Sequence, residues 1–491
     1  MAEISGIFAE IGKFIWQNIL ILDMIFAIFI VFFQRKDPKS IWAWLLLLYF
    51  IPIVGFVFYI LFGLNLLNKR RFRIKEIEGR ISNVIHDRYD SVREHKLGID
   101  PGDYADDSDL MLYNLATCDS EITDDNDVSF FTDGNEKFNA VIEDILNARE
   151  FIHMEYYIIR NDELMDRISE ALIKKAAEGV KVRILYDAMG CRRTPTSYFK
   201  KLSKHENIST SVFFPAFFKW VHLRVNYRNH RKILVIDNRV GYVGGFNVGK
   251  EYIDKSKRFG HWRDTHMRIT GSAVNELNIR FTLDWNYASQ ENLFEQKENF
   301  VPKPSEHGGN SLMQIISSGP DSSNEAIRDN YLRMIHKAKE SIYIQTPYFI
   351  PDGSIRSALL IAVRSGVDVN IMIPCKPDHP FVYWATYSYV GELVMAGAHC
   401  YTYDAGFLHA KGMIVDSRIL CYGSANFDIR SFTLNFEVNA VIFDRHKASE
   451  MEQIFKDDLK HCTPIIRSDY AARSLWLRFR EQFCRLFSPI L

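Results

Sequence analysis

The 491-residue sequence has no CxxC pair: its seven cysteines, Cys118, Cys191, Cys375, Cys400, Cys421, Cys462 and Cys484, are scattered and odd in number. That spacing supports neither a disulfide framework nor a zinc knuckle, so a reducing compartment is the default for the soluble part. Net charge is nearly absent too, with 60 Lys+Arg against 61 Asp+Glu. The balance removes any general electrostatic argument for nucleic-acid binding and leaves only local basic patches. No P-loop and no metal-ligand motif is present. What the chain has in quantity is apolar and aromatic: 47% hydrophobic residues, including 36 Phe and 23 Tyr. Such a chain is not disordered, and its length suits two or three domains or one large pseudo-symmetric one.

Two apolar runs stand near the start, Ile15 to Phe33 and Ile41 to Phe62. The second carries no charge over 22 residues, and at ~1.5 Å per residue it is long enough to span a bilayer. Trp16, Trp42, Trp44 and Tyr49 sit near the run ends, where an aromatic belt belongs. Residues 1–75 are therefore expected to form a transmembrane hairpin rather than a cleaved signal peptide. Five Lys/Arg between Asn68 and Lys75 exceed the three in the loop between the runs, favouring a multi-pass cell-membrane protein with a cytoplasmic body.

Residues 76–127 read as a charged connector with some helix. Beyond it the chain can be laid over itself. "EFIHMEYYIIRND" (Glu150 to Asp162) matches "ESIYIQTPYFIPD" (Glu340 to Asp352), and "GVKVRILYD" from Gly179 matches "GVDVNIMIP" from Gly366. Strands alternate with amphipathic helices, which predicts an α/β fold of two pseudo-symmetric repeats, 128–305 and 306–470, with mostly parallel sheets flanked by helices. The end, 471–491, is an amphipathic tail rich in aromatics and arginine, suited to a bilayer interface or to docking on the body.

Each repeat carries the same arrangement: "NHRKILVID" from Asn229 to Asp237 and "LHAKGMIVD" from Leu408 to Asp416. His230 and His409 are each followed two positions later by Lys232 and Lys411, then by Asp237 and Asp416. An ammonium repels a metal, so the pattern speaks against a metal site and for an anion. Lys232 to Asn247 and Lys411 to Asn426 are both 15 residues apart, with Gly245 and Ser424 just before the asparagines. Two His, two Lys and two Asn converging on one point make a phosphate site.

These residues resemble the phospholipase D superfamily, whose signature is HxKxxxxD followed by Gly/Ser and Asn in each of two halves. With the N-terminal hairpin, "HWRDTHMRITG" (His261 to Gly271), "LNFEVN" and the ending "LFSPIL", the chain is similar to bacterial-type cardiolipin synthases over essentially its full length. The resemblance implies one active site between the repeats and a covalent phosphohistidine, with His230 as nucleophile and His409 as acid and base. Lys232, Lys411, Asn247, Asn426, Ser424 and Gly245 would hold the phosphate; Asp264 would orient His230 and Glu437 would orient His409. Asp237 and Asp416 complete the signature, in a structural role. It further implies phosphatidylglycerol as donor and acceptor, a bilayer setting, no cofactor, no metal and no nucleic-acid partner; a homodimer is an open expectation. Exchange of one phosphodiester for another is nearly thermoneutral, so no ATP is needed, and activity should follow a bell against pH. Arg224, Arg228 and Arg231 are candidates to attract anionic headgroups. The rival readings are a sibling reaction with phosphatidylethanolamine or serine, a hydrolase, and a membrane-tethered nuclease.

Overall fold

The computed structural model describes residues 21, 27, 28, 38–51, 55, 100–215, 227–306, 308–322, 324–376 and 378–488. They fall into two units, one drawn from 1–73 and 217–226, the other from 74–216 and 227–491. In the first, the helix Pro38–Phe50 exposes Trp42, Leu46, Tyr49 and Phe50. Most of the expected hairpin, the connector up to residue 99, and Arg224 lie outside the described residues. Among the described residues no helix is long and apolar enough to cross a membrane.

The second unit is built on one sheet. The first repeat contributes β1 (Ile122–Phe131), β2 (Phe151–Tyr156), β3 (Lys181–Asp187), β4 (Ile208–Phe213), β5 (Lys232–Ile236), β6 (Val240–Gly244) and β7 (His266–Thr270). The second contributes β8 (Ser311–Ser318), β9 (Ser341–Gln345), β10 (Asp368–Pro374), β11 (His399–Tyr403), β12 (Gly412–Val415), β13 (Ile419–Gly423) and β14 (Asn435–Phe443). Their spatial orders are the same, β1-β7-β6-β5-β2-β3-β4 and β8-β14-β13-β12-β9-β10-β11. Antiparallel pairing of β1 with β8, Ile122 opposite Gln314 and Asn126 opposite Ser311, fuses the two halves. Strands such as "KILVI" are buried along their whole length because helices cover both faces.

The expectation of mostly parallel sheets is corrected. Among the strands β1–β14 only β2-β3-β4 and β9-β10-β11 pair parallel. They are joined by crossover segments that include the helices Glu163–Ala177 and Gly353–Arg364, whose caps Asp162 and Asp352 accept bonds from the first free N–H groups. β5 joins β6 and β12 joins β13 through tight turns, which can join only antiparallel neighbours, and the pairs β2–β5, β6–β7, β9–β12 and β13–β14 are antiparallel too. The connector's helix Ser108–Cys118 packs on the second repeat, with Leu110 and Met111 in its core. The boundary expected at residue 128 falls inside β1.

Asp237 and Asp416 occupy equivalent turns. Both have positive φ (53° and 52°), as do their successors Asn238 and Ser417 (52° and 50°). The turns close by Arg239 N–H to Ile236 O (2.9 Å) and Arg418 N–H to Val415 O (3.0 Å). Asp237 also accepts from the backbone N–H groups of Arg149, Glu150 and Phe151 at 2.7–2.8 Å. Asp416 accepts from Lys339, Glu340 and Ser341 at 2.8–2.9 Å. The carboxylate thus pins the hairpin to the entry of the neighbouring strand. Removing it strands three donors, so Asp237→Ala or Asp416→Ala should each lower unfolding stability by about 2–3 kcal/mol. Denaturant titration of the detergent-solubilised protein checks this, and turnover per folded molecule should change little.

Candidate active site

Each motif histidine lies just before the first strand of its hairpin, and each is held there by the other repeat. The short strand Arg228–Asn229 pairs parallel with Asn435–Phe436 at the start of β14, and His230 N–H donates to Phe436 O at 2.9 Å. Gly406–Leu408 pairs parallel with His261–Arg263, and His409 N–H donates to Arg263 O at 2.7 Å. The residue following each acceptor is a buried carboxylate. His230 Nδ1 therefore meets Glu437 at 2.9 and 3.0 Å, and His409 Nδ1 meets Asp264 at 2.6 Å.

The pairing is the reverse of the one expected, in which Asp264 served His230 and Glu437 served His409. The physical reason is register: the strand that supports each motif comes from the opposite repeat, and the carboxylate comes with it. With a carboxylate on Nδ1, that nitrogen is the donor, and Nε2 is left as the base or nucleophile. Rings fix the imidazoles further, Tyr157 edge-on to His230 at 4.9 Å and Trp262 tilted against His409 at 5.0 Å.

Gly245 and Ser424 were expected at the phosphate and are placed behind it. A Cβ on Gly245 would lie 1.9 Å from Asp264 Oδ1, so glycine is what lets that carboxylate occupy its position. Ser424 Oγ donates to Glu437 at 2.5 Å and accepts from Val438 N–H at 3.0 Å. Asn247 and Asn426 do reach the cavity. Asn247 Oδ1 accepts from Ile158 N–H and its Nδ2 donates to Tyr252. Asn426 Nδ2 donates to Asp428, and its Oδ1 is buried without a protein partner. Lys232 and Lys411 are buried beneath the histidines, each donating to the carbonyl of its own histidine at 2.6 and 2.5 Å.

The cavity over these groups has a volume of about 660 Å³ and takes lining from both repeats. Arg160, Arg192, Arg193, Arg228, Arg258 and Arg430 face it, against Glu251, Asp378 and Asp428. These arginines are dispersed along the sequence with no shared motif, so only the fold gathers them. Arg231, also expected to attract headgroups, is instead buried: it ion-pairs with Asp284 at 2.5 Å and donates to Ser318 O and Glu437 O.

Burial sets the protonation states. Desolvation, opposed by Glu437 and reinforced by Lys232, pulls His230 down to about 4. Desolvation and Lys411, opposed by Asp264, pull His409 down to about 4. Both imidazoles are neutral at pH 7. The lysines are desolvated as well and fall to about 7 for Lys232 and about 8 for Lys411. Glu437 and Asp264 stay below the usual carboxylate range: burial raises them, but the adjacent histidines and lysines outweigh it. A phosphodiester anion would favour charged lysines and a protonated imidazole at this point.

A family described as "Cardiolipin synthase, PLD-like domain" matches residues 141–260 and 331–459. A cardiolipin synthase of Oceanobacillus iheyensis is 46% identical over 96% of this chain and 98% of its own length. The major cardiolipin synthase of Bacillus subtilis is 46% identical over 98% of this chain and all of its own. The chain belongs to the cardiolipin synthase family. A phospholipase D-nuclease N-terminal family also matches residues 21–63. In fold, the second unit is like a phosphatidylserine synthase from Haemophilus influenzae, with a TM-score of 0.57 at 15% identity over 74% of this chain and 95% of that one.

For a member of the cardiolipin synthase family these protonation states fix the pH response. The charges of Lys232 and Lys411 are lost as pH rises through about 7 to 8, and His230 is protonated only as pH falls through about 4. A kcat/KM profile should therefore fall on the alkaline side as the lysines lose their protons and on the acid side as His230 gains one. The alkaline limb of kcat should lie higher, because bound substrate holds the lysine protons. The carboxylate exchange gives a second expectation. Glu437→Gln and Asp264→Asn should each reduce kcat by roughly 10²–10⁴-fold with KM little changed, since the amide no longer fixes the tautomer. Steady-state assays in mixed micelles measure both.

Proposed function

We propose that the chain transfers a phosphatidyl group between two phosphatidylglycerol molecules, giving cardiolipin and glycerol. One observation carries this reading: two histidines from two repeats, each backed by a carboxylate of the other, meet at one cavity rich in arginine. His230 Nε2 attacks the donor phosphorus while the bond to the headgroup glycerol oxygen breaks, and His409, which takes up a proton as the anionic donor binds, gives that proton to the departing glycerol oxygen. The phosphatidyl group is then held on His230 through a P–N bond. A hydroxyl of the second phosphatidylglycerol gives its proton to His409 and attacks phosphorus, the P–N bond breaks, and both histidines return to their starting state. Lys232, Lys411, Asn247 and Asn426 are assigned to the non-bridging oxygens, where charge accumulates in the transition state.

The cavity suits this exchange. Its arginines offset the charges of two anionic lipids in succession. The apolar runs 15–33 and 41–62 support a multi-pass anchor for a cytoplasmic catalytic body.

Purified protein incubated with phosphatidylglycerol alone should yield cardiolipin and glycerol by mass spectrometry. Phosphatidic acid as the only product would establish a hydrolase instead, and no turnover would sink the exchange reaction. His230→Ala and His409→Ala should each reduce turnover by on the order of 10³-fold or more. Only His409→Ala should be able to accumulate a phosphorylated histidine, and finding it in His230→Ala would reverse the two roles.

A further inference from the structure

The C-terminal helix Leu475–Arg485 is turned inside out by the standards of a water-facing helix. Its carboxylate, Glu481, is fully buried and bound by Arg473 at 2.8 Å, and Cys484 enters the core of the second repeat. Arg485 bonds Glu392, and Gln482 bonds Ser388, both on the helix Pro380–Ala396. These contacts fix which side faces out, and that side is apolar: Trp476 is 66% exposed, Phe479 60% and Phe483 44%, with Leu475 and Leu486 beside them.

The exposed rings form a continuous ladder. Trp476 stacks on Phe479 (5.8 Å), Phe479 on Phe483 (6.1 Å), Phe483 meets Phe487 (5.4 Å), and Phe487 meets Phe381 (6.1 Å). Phe381, itself exposed, adjoins Val382 and stands two residues from His379, and both of those line the catalytic cavity. The ladder therefore runs up to the wall of the chamber. Arginines border it: Arg478 is exposed beside the rings, and Arg480 lies over the Trp384 ring at 3.5 Å.

We propose that this face docks on an anionic phospholipid bilayer, its aromatics at the boundary between headgroups and acyl chains, and holds the chamber against the lipids it takes. The assignment of a bilayer rather than a protein rests on three features. Aromatic rings with flanking arginines fit an interface where one side is apolar and the other carries phosphate. The face is continuous with the arginine-lined cavity. In addition, it rests on the lipid-exchange reading above, which requires two lipids to reach that cavity from a membrane.

The test uses the full chain reconstituted in phosphatidylglycerol vesicles containing lipids brominated on the acyl chain. The emission lost on Trp476→Phe isolates Trp476, and that difference emission should be quenched by bromine. An unquenched Trp476, or one whose emission instead tracks protein concentration as in self-association, overturns the proposal. A second arm uses Phe479→Ser/Phe483→Ser. Turnover of short-chain phosphatidylglycerol dispersed as monomers should stay within about twofold of wild type, while turnover of bilayer phosphatidylglycerol should fall about tenfold. Equal loss on both substrates would mean the rings serve folding rather than docking, and would overturn it. Wild-type protein inactive on both forms would defeat the exchange reaction while leaving the quenching result to judge the docking face.

Discussion

Everything in the site depends on an exchange of support between the repeats. The backbone and the Nδ1 of each histidine are both bound by the opposite half, through parallel pairings only two or three residues long. So short a pairing does not stabilise itself; it persists because β1 and β8 weld the halves into one sheet and hold the two ends in register. Neither repeat contains a finished catalytic dyad. Completion of both is a single event, which is why one chain carries the motif twice and yet builds one site.

The letters of each motif divide the labour differently from what their proximity suggests. His faces the cavity, Lys lies under it as a desolvated cation, and Asp leaves the site to fasten a turn to the next strand. Low dielectric connects these tasks. The same burial that keeps the imidazoles neutral also loosens the protons of the lysines, so an arriving anion meets groups whose charge states it can shift. The buried carboxylates remain ionised because those same cations surround them.

Much of this was legible in the sequence. The repeat, the two motifs and the asparagines at equal spacing were visible as letters, since each is a local pattern. The structural role that the resemblance implied for the two aspartates agrees with their bonds to backbone N–H groups. What was not legible depended on register between distant segments. Asp264 stands nearer His230 in the sequence, and Glu437 nearer His409, but the pairing crosses between the repeats. The antiparallel strands went unread because strands alternating with helices were read as parallel units throughout, while the hairpin turns at Asp237–Asn238 and Asp416–Ser417 take only a few residues. Arg231 appeared to be a headgroup ligand until the fold placed Asp284 against it.

The missing side chain at Gly245 has a consequence of another kind. It opens room for the aspartate that serves His409, whereas the corresponding position in the other half is filled by a serine hydroxyl bonded to the longer glutamate. One imidazole thus leans on a short carboxylate seated in a hollow, and the other on a long one braced by Ser424 and Asn435. Serine in one half against glycine in the other, and glutamate against aspartate, give the two imidazoles unequal surroundings in a scaffold that otherwise repeats.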